Sequence, residues 1–414
     1  MNFKREDIEI MAPVGSYESL MAAIQGGANS VYFGIEQLNM RAKSSNNFTT
    51  EDLKKIVGIA QENNIKTYLT LNTILYDHDV NLMKQIVDTA KESGITAIIA
   101  ADQAAINYAS SIGVEVHIST QVNISNVESV KFYAHFADVM VTARELSLKQ
   151  VKSITETIEK EQIKGPSGEL IRIEIFAHGA LCMAVSGKCY LSLHEQNSSA
   201  NRGACLQTCR KSYIVTEKET GYELEIDNEY IMSPKDLCTI GFIDKIIDSG
   251  VKVLKIEGRA RPAEYVKIVS ECYDQAVRAH IEGTYNQDKI KNWETRLATV
   301  FNRGFWDGYY LGRKMGDWSK EYGSKATKTK VYIGKGTNYF KNIKVAEFLL
   351  QSDNLKVGDE ILITGPTTGV IQTTVKEIRV ALEATNEAKK GQTISVPIDE
   401  KVRPSDKLYK MVSA

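Results

Sequence analysis

Lys66-Thr-Tyr-Leu-Thr-Leu-Asn72, the segment Asn81–Ser93, Gly94 and Ala97-Ile-Ile-Ala-Ala101 spell out one strand–helix–strand unit. The outer runs are mostly apolar on both faces, as strands buried in a parallel sheet are. The segment between them is amphipathic, and Gly94 stands where a helix stops before a strand. The unit recurs. Further runs lie at Ile8–Ala12, Ser30–Gly34, Glu115–Ser119, Asp138–Val141, Ile171–Phe176 and Val251–Ile256, which makes eight. Thr50–Asn63 is another amphipathic segment, opened by the capping sequence Thr50-Glu51-Asp52-Leu53, and Gly250 is another stop. Eight such units in about 285 residues predict an α/β fold, a (β/α)8 TIM-like barrel, for which roughly 250 residues plus insertions is usual. No Gly-x-Gly-x-x-Gly follows any run, so a doubly wound dinucleotide fold is not expected.

Domain boundaries follow from breaks in this rhythm. Residues 1–285 form the predicted barrel, interrupted after strand seven by a cysteine-rich insertion at about 179–232. Within it, Ser212–Lys218 and Tyr222–Tyr230 flank a Glu219-Thr-Gly221 turn and predict a β-hairpin. Residues 286–328 predict a helical connector, ending in the Lys-rich stretch 325–330. From 329 to 414 strand alternation and turn signals take over, clearest in Val357-Gly-Asp-Glu-Ile-Leu-Ile-Thr-Gly365, and predict a small C-terminal β-barrel.

Composition sets outer limits. The 414 residues are 43% hydrophobic and 25% charged, with a net charge of -1, which excludes a globally basic nucleic-acid binder. The start Met1-Asn-Phe-Lys-Arg-Glu-Asp has no apolar run behind it, and no stretch approaches 18 apolar residues. A cytoplasmic protein without membrane contact is therefore expected. There, thiols stay reduced and a disulfide framework is not expected.

Barrel enzymes place reactive groups at the C-terminal strand ends. Here those ends offer Asn39 and Arg41 after strand two, Asn72 after strand three and Asp102 after strand four. Strand five gives His117 to Gln121, strand six Arg144, strand seven His178, and strand eight Glu257, Arg259 and Arg261. His117, Gln121 and Glu257 are the candidates for catalysis. Asn39, Arg41, Asn72, Asp102, Arg144, His178, Arg259 and Arg261 are the candidates for substrate binding. Several arginine forks at one mouth suit a ligand with more than one carboxylate, or a nucleic-acid backbone. Arg202, Arg210, Lys211 and the 325–330 lysines are further candidates for steering RNA.

Four of six cysteines fall in Cys182-Met-Ala-Val-Ser-Gly-Lys-Cys189 and Cys205-Leu-Gln-Thr-Cys209, with Cys238 29 residues beyond. Cys182 and Cys189 are too far apart for a zinc knuckle, and Cys205 with Cys209 is the one pair that fits. Iron–sulfur clusters accept more varied spacing, and Ala184, Ser186, Gly187, Gly203 and Ala204 permit close backbone approach. Zinc, an iron–sulfur cluster and structural or redox thiols all remain open on spacing. Cys272, mid-helix, reads as an ordinary buried residue.

Long motifs then narrow the reading. Glu174-Ile-Phe-Ala-His-Gly-Ala-Leu-Cys182, Ser186-Gly-Lys-Cys189-Tyr-Leu-Ser192 and Asn201-Arg-Gly-Ala-Cys205-Leu-Gln-Thr-Cys209-Arg210 are three of them. Ser233-Pro-Lys-Asp-Leu-Cys238, His117-Ile-Ser-Thr-Gln121, Lys255-Ile-Glu-Gly-Arg259 and Asn302-Arg-Gly304 are the others. Together they resemble the signatures of the collagenase-like unassigned peptidase family 32. The family's name implies proteolysis, yet no nucleophile elbow and no His-Glu-x-x-His occur. The resemblance is strongest to its prephenate-dependent tRNA uridine hydroxylases. It implies a 4Fe-4S cluster on Cys182, Cys189, Cys205 and Cys238, with Cys209 competing for one place. It further implies prephenate, a small dicarboxylate, as co-substrate, and 5-hydroxyuridine formed at the wobble position in the anticodon stem-loop of tRNA. Ribosomal RNA is the alternative substrate, and a barrel-only paralogue is an implied partner. One departure is Gln196-Asn-Ser-Ser-Ala200, where relatives carry Gly-Arg-Ser.

Overall fold

The computed structural model describes residues 4–42, 47–211, 218–220, 233–312, 317 and 323–414. Eight parallel strands close into a barrel. They are β1 (Glu9–Pro13), β2 (Ser30–Phe33), β3 (Lys66–Leu71), β4 (Ala97–Ala100), β5 (Glu115–Ile118), β6 (Val139–Val141), β7 (Arg172–Gly179) and, after a short β8 (Asp236–Cys238), β9 (Val253–Ile256). Closure comes through β9, where Val253 is in register with Glu174 of β7 and with Glu9 of β1. The expected eight-stranded barrel is therefore present.

Alternation along each strand sorts side chains into two shells. Met11, Tyr32, Tyr68, Ile99, Val139 and Val253 fill the barrel interior. The intervening residues meet the outer helices. These are α1 (Tyr17–Gln25), α2 (Asp52–Glu62), α3 (Val80–Glu92), α4 (Gln103–Ser111), α5 (Val127–Tyr133) and α6 (Leu148–Glu161). After the short α7 (Leu191–Gln196) of the insertion come α8 (Ile243–Asp248), α9 (Ala263–Ile281) and α10 (Gln287–Ala298). Among the described residues, no helix is long and apolar enough to cross a membrane.

Strand β7 runs three residues beyond the expected Phe176, and its end pairs antiparallel with β8, His178 opposite Cys238. The insertion is the chain between these partners. The predicted hairpin within it lies outside the described residues, apart from the 218–220 turn. The 286–328 segment holds α10 and then β10 (Phe305–Trp306), which extends the barrel's sheet through β8.

The C-terminal domain is built on an antiparallel sheet. It uses β11 (Lys328–Phe340), β12 (Val345–Leu350), β13 (Leu355–Lys356), β14 (Glu360–Gly365), β15 (Gly369–Thr374), β16 (Ile378–Val380), β17 (Glu383–Thr385), β18 (Glu387–Ala388), β19 (Thr393–Pro397) and β20 (Lys407–Ser413). Eight of these strands form one sheet in the order β15-β14-β20-β11-β12-β19-β16-β17, and β13 pairs with β18. Ile333, Phe348, Ile361, Ile363, Ile394 and Leu408 are fully buried in its core. Each such side chain stabilises the domain by about 1.5–3 kcal/mol. Gln25 of α1 docks it on the barrel, donating to the Thr368 carbonyl and accepting from the Val370 N–H, both at 2.9 Å.

Candidate functional site

A cavity of about 140 Å³ opens at the C-terminal ends of the barrel strands, beneath the insertion. One water needs roughly 10–15 Å³ on this measure, so a small organic molecule fits. Tyr32, Thr70, Asn72, Gln121, Arg144, Phe176, Lys255, Glu257 and Arg259 line its barrel side. Cys182, Cys189, Cys205 and Cys209 line its insertion side, and Arg41 lies between.

Strand periodicity builds the barrel side. Val253 and Lys255 of β9 point inward, and the Lys255 ammonium pairs with buried Glu174 at 2.7 Å. It also stands 4.7 Å from the Tyr32 ring. Just past the strand, Glu257 accepts from Arg41 Nη2 at 3.0 Å and from the Tyr32 hydroxyl at 3.1 Å. Burial works to raise the Glu257 carboxyl, but Arg41, Arg144 and Arg259 outweigh it and bring it down to about 2. Glu257 is thus an anion that orders arginines and has no proton to give near neutral pH.

Arg259 is buried and donates through Nη1 to Asn39 Oδ1 at 3.0 Å and Thr70 Oγ1 at 2.9 Å. Burial pulls its guanidinium down to about 10, against the favourable charge of Glu257. Arg144 differs. Its guanidinium lies 4.0 Å from the Phe176 ring centre, and its buried Nε and Nη1 have no hydrogen-bond partner among the described residues. Unpaired buried donors are costly and call for an acceptor. The barrel side therefore sets three guanidinium groups against the one carboxylate of Glu257, while Lys255 and Glu174 cancel. Three less one leaves two positive charges, which complements a small dianion.

Glycines let the insertion reach this mouth. Gly179 ends β7 at φ +105°, where a Cβ would stand 2.3 Å from the Glu257 carbonyl oxygen. Gly203 has φ +79°, and its Cβ would stand 2.4 Å from the Asn39 carbonyl oxygen. Arg210 ties the loop down, donating to the Leu181 carbonyl at 2.6 Å and to Ser233 Oγ and the Pro234 carbonyl at 3.0 Å. All six cysteines are free. Burial pushes the Cys209 thiol up, and it also feels the charges of Cys182, Cys205 and Cys189. Arg41 feels Cys182 and Cys205 in turn. Among the described residues, no three Cys, His, Asp or Glu side chains converge closely enough to hold a single metal ion.

Of the residues expected at the mouth, Arg41, Asn72, Gln121, Arg144, Glu257 and Arg259 line the cavity, with four of the five cysteines. Asn72 Nδ2 donates to Ser119 Oγ at 3.3 Å and Gln121 Oε1 at 3.4 Å, and Ser119 also donates to Gln121. Asn39 sits one step behind, holding Arg259. The rest stand elsewhere. His117 is buried deeper in the barrel, its Nε2 3.0 Å from Glu115 Oε1 and its ring 4.5 Å from Tyr68. Asp102 caps α4, accepting from the Ala104 N–H at 2.9 Å. His178 is enclosed by Tyr265, Tyr273 and Phe305, and burial, then Arg261, lowers it to about 3. Arg261 turns away to Asp236 and stacks 3.6 Å from the Phe301 ring centre. Cys238 packs against the barrel core, and although the residue keeps partial solvent contact, burial pushes its thiol up to about 12.

Tyr32, Thr70 and Lys255 join the site without a role expected from the sequence, although Lys255 is the one charged residue in the apolar strand Val253–Ile256. The cations expected to steer RNA are engaged within the chain. Arg202 pairs with Asp79 and stacks on Tyr76, Lys211 lies 3.8 Å from Glu195, Lys330 2.8 Å from Glu264, and Lys328 pairs with Glu360.

Comparison with known proteins places this site in a family. The model of Peptidase family U32 matches residues 15–320. The chain is 62% identical over 404 residues to the "Collagenase" of Porphyromonas gingivalis, covering 98% of each. It is 31% identical over 414 residues to "tRNA hydroxylation protein P1" of Bacillus subtilis, covering 97% of this chain and 94% of that one. It is also 31% identical over 327 residues to the "23S rRNA 5-hydroxycytidine C2501 synthase" of Escherichia coli, covering 77% of this chain and 47% of that one. A match across most of the barrel, with relatives aligned almost end to end, shows that the chain belongs to peptidase family U32.

Proposed function

We propose that this protein is a cytoplasmic tRNA hydroxylase that carries a 4Fe-4S cluster and uses prephenate to form 5-hydroxyuridine at the wobble position. The observation that carries the reading is the shared cavity, in which four free thiols, with Arg210 among them, face the guanidinium groups of Arg41, Arg144 and Arg259. Relatives named for tRNA and rRNA hydroxylation support an RNA substrate. The relatives named collagenase favour peptide hydrolysis, but a cysteine peptidase needs an imidazole beside its thiol. Among the described residues, no histidine lines this cavity.

The donor set suits a cluster. Its four thiols, Cys182, Cys189, Cys205 and Cys209, line one cavity, and four thiolates are the ligand number such a cluster takes. Cys182, Cys189 and Cys205 would hold three irons. Cys209 would hold the fourth, since it shares their cavity and Cys238 does not. Bound there, a cluster supplies one-electron transfer. The chain's own groups do the positioning. Arg41, Arg144 and Arg259 bind the two carboxylates of the co-substrate, Glu257 keeps those arginines ordered, and the Asn72–Ser119–Gln121 network presents amide groups to its polar edge.

Deleting the gene and digesting tRNA and rRNA to nucleosides for mass spectrometry tests this. The reading expects 5-hydroxyuridine derivatives to vanish from tRNA and to return with the wild-type gene but not with Cys182→Ala. Loss from rRNA alone would move the substrate to ribosomal RNA, and no change in either would overturn the function.

A further inference from the structure

A second pocket of about 180 Å³ adjoins the cavity, and its chemistry is different. It lies between the Leu181–Ser186 segment, Arg144 and Glu145 on one side and Pro234, Trp306 and Tyr309 on the other. Arg144 and the whole Leu181–Ser186 segment belong to both pockets. Beyond that shared wall the first pocket adds Arg41, Lys255 and Arg259 and the second adds Trp306 and Tyr309, so the two suit different ligands.

The aromatic wall is held firmly. Trp306 is 8% exposed on β10, and its ring meets Tyr309 edge-on at 5.1 Å and 79°. Tyr309 is 37% exposed, so its ring is reachable from solvent. The next residue anchors the loop, with the Tyr310 hydroxyl donating to the Phe176 carbonyl and its own carbonyl accepting from the Leu148 N–H, each at 2.9 Å. Rigid aromatic surface of this kind suits the flat face of a nucleobase.

Glu145, in the pocket wall, is an exposed acceptor for a nucleobase N–H, while the unpartnered donors of Arg144 serve the dianion in the first pocket.

We infer that this second pocket receives the uracil extruded from the RNA, while the first holds the dianion. The inference rests on the RNA reading above and adds where the base sits. Extrusion is required because a stacked base cannot reach an enclosed site. The base and the co-substrate then meet across Arg144 and the Leu181–Ser186 segment, the wall they share.

The test uses the anaerobically purified protein and an anticodon stem-loop carrying 5-iodouridine at the wobble position. Irradiation and peptide mapping are expected to place the crosslink on the Trp306–Tyr309 or Leu181–Ser186 peptide. Tyr309→Ala is expected to weaken stem-loop binding roughly 5- to 150-fold, the range that one base–aromatic stack contributes. Tyr309→Phe restores binding, and prephenate binding is unchanged in both, which also shows that both fold. RNA that binds but crosslinks elsewhere overturns the pocket and leaves the RNA reading standing. Failure of the wild type to bind the stem-loop at low salt overturns the RNA reading, and the pocket with it.

Discussion

Glu257→Gln is the most informative single change, because it removes one charge from among three arginines and keeps the shape. Two routes give its size. The arginines, acting against burial, hold the carboxyl at about 2, and its ordinary value is 4.5. The gap of 4.5 − 2 = 2.5 pH units corresponds to about 3 kcal/mol. Independently, removing one partner from a buried ion pair costs about 3–5 kcal/mol. Both routes place the loss near 3–5 kcal/mol at pH 7. The sign is that of a depressed carboxyl, so Glu257's contribution is complete above about pH 4.5 and is lost as pH falls toward 2. Urea unfolding of both proteins, followed by tryptophan fluorescence across pH, measures it. The variant should be less stable at pH 7, and the gap should close with acid, because a protonated Glu resembles Gln. A saturating dicarboxylate should narrow the gap at pH 7, since it supplies the missing negative charge. Equal stability at pH 7, or a gap that ignores pH, would refute the electrostatic account of the mouth.

Other changes separate binding from folding. Arg144→Gln removes a guanidinium that stacks on Phe176 and faces Glu257 but makes no hydrogen bond through Nε or Nη1 among the described residues, so it should lower the urea midpoint less than Glu257→Gln does. By calorimetry it should weaken dicarboxylate binding about 10- to 150-fold, the worth of one charge-assisted hydrogen bond. Gly203→Ala drives a Cβ against the Asn39 carbonyl at positive φ, costing about 1–3 kcal/mol, and should lower the iron content of anaerobically purified protein. His178, held near 3, stays neutral at working pH and contributes stability above about pH 6.5 that is lost as pH falls toward 3. His178→Phe should therefore lessen the loss of stability between pH 7 and pH 4 in urea titrations.

Local pattern made the barrel legible. Apolar runs such as Ala97–Ala100 and stops such as Gly94 are set by a few neighbouring residues, so reading them needs no tertiary knowledge. The mouth was legible to the extent that strand ends define it, which gave Arg41, Asn72, Gln121, Arg144, Glu257 and Arg259. Depth along the barrel axis was not. His117 shares its strand face with Ser119, yet it sits a layer lower beside Glu115 and Tyr68. Long-range partners were not legible either. Arg259 and Arg261 are two residues apart, but Asp236 and Phe301 draw Arg261 out of the cavity. Cys238 reads as one more thiol in the sequence. Its strand pairs with the end of β7 and carries it to the aromatic core instead of the cavity wall.

Four thiols share one cavity, and metal analysis tests their role most directly. Wild type, Cys209→Ser and Cys238→Ser should be purified without oxygen and assayed for iron, acid-labile sulfide, zinc and visible absorbance. About four irons and four sulfides per chain are predicted, lost in Cys209→Ser and retained in Cys238→Ser. Tightly held zinc, no metal at all, or a cluster that survives Cys209→Ser and disappears in Cys238→Ser would contradict it.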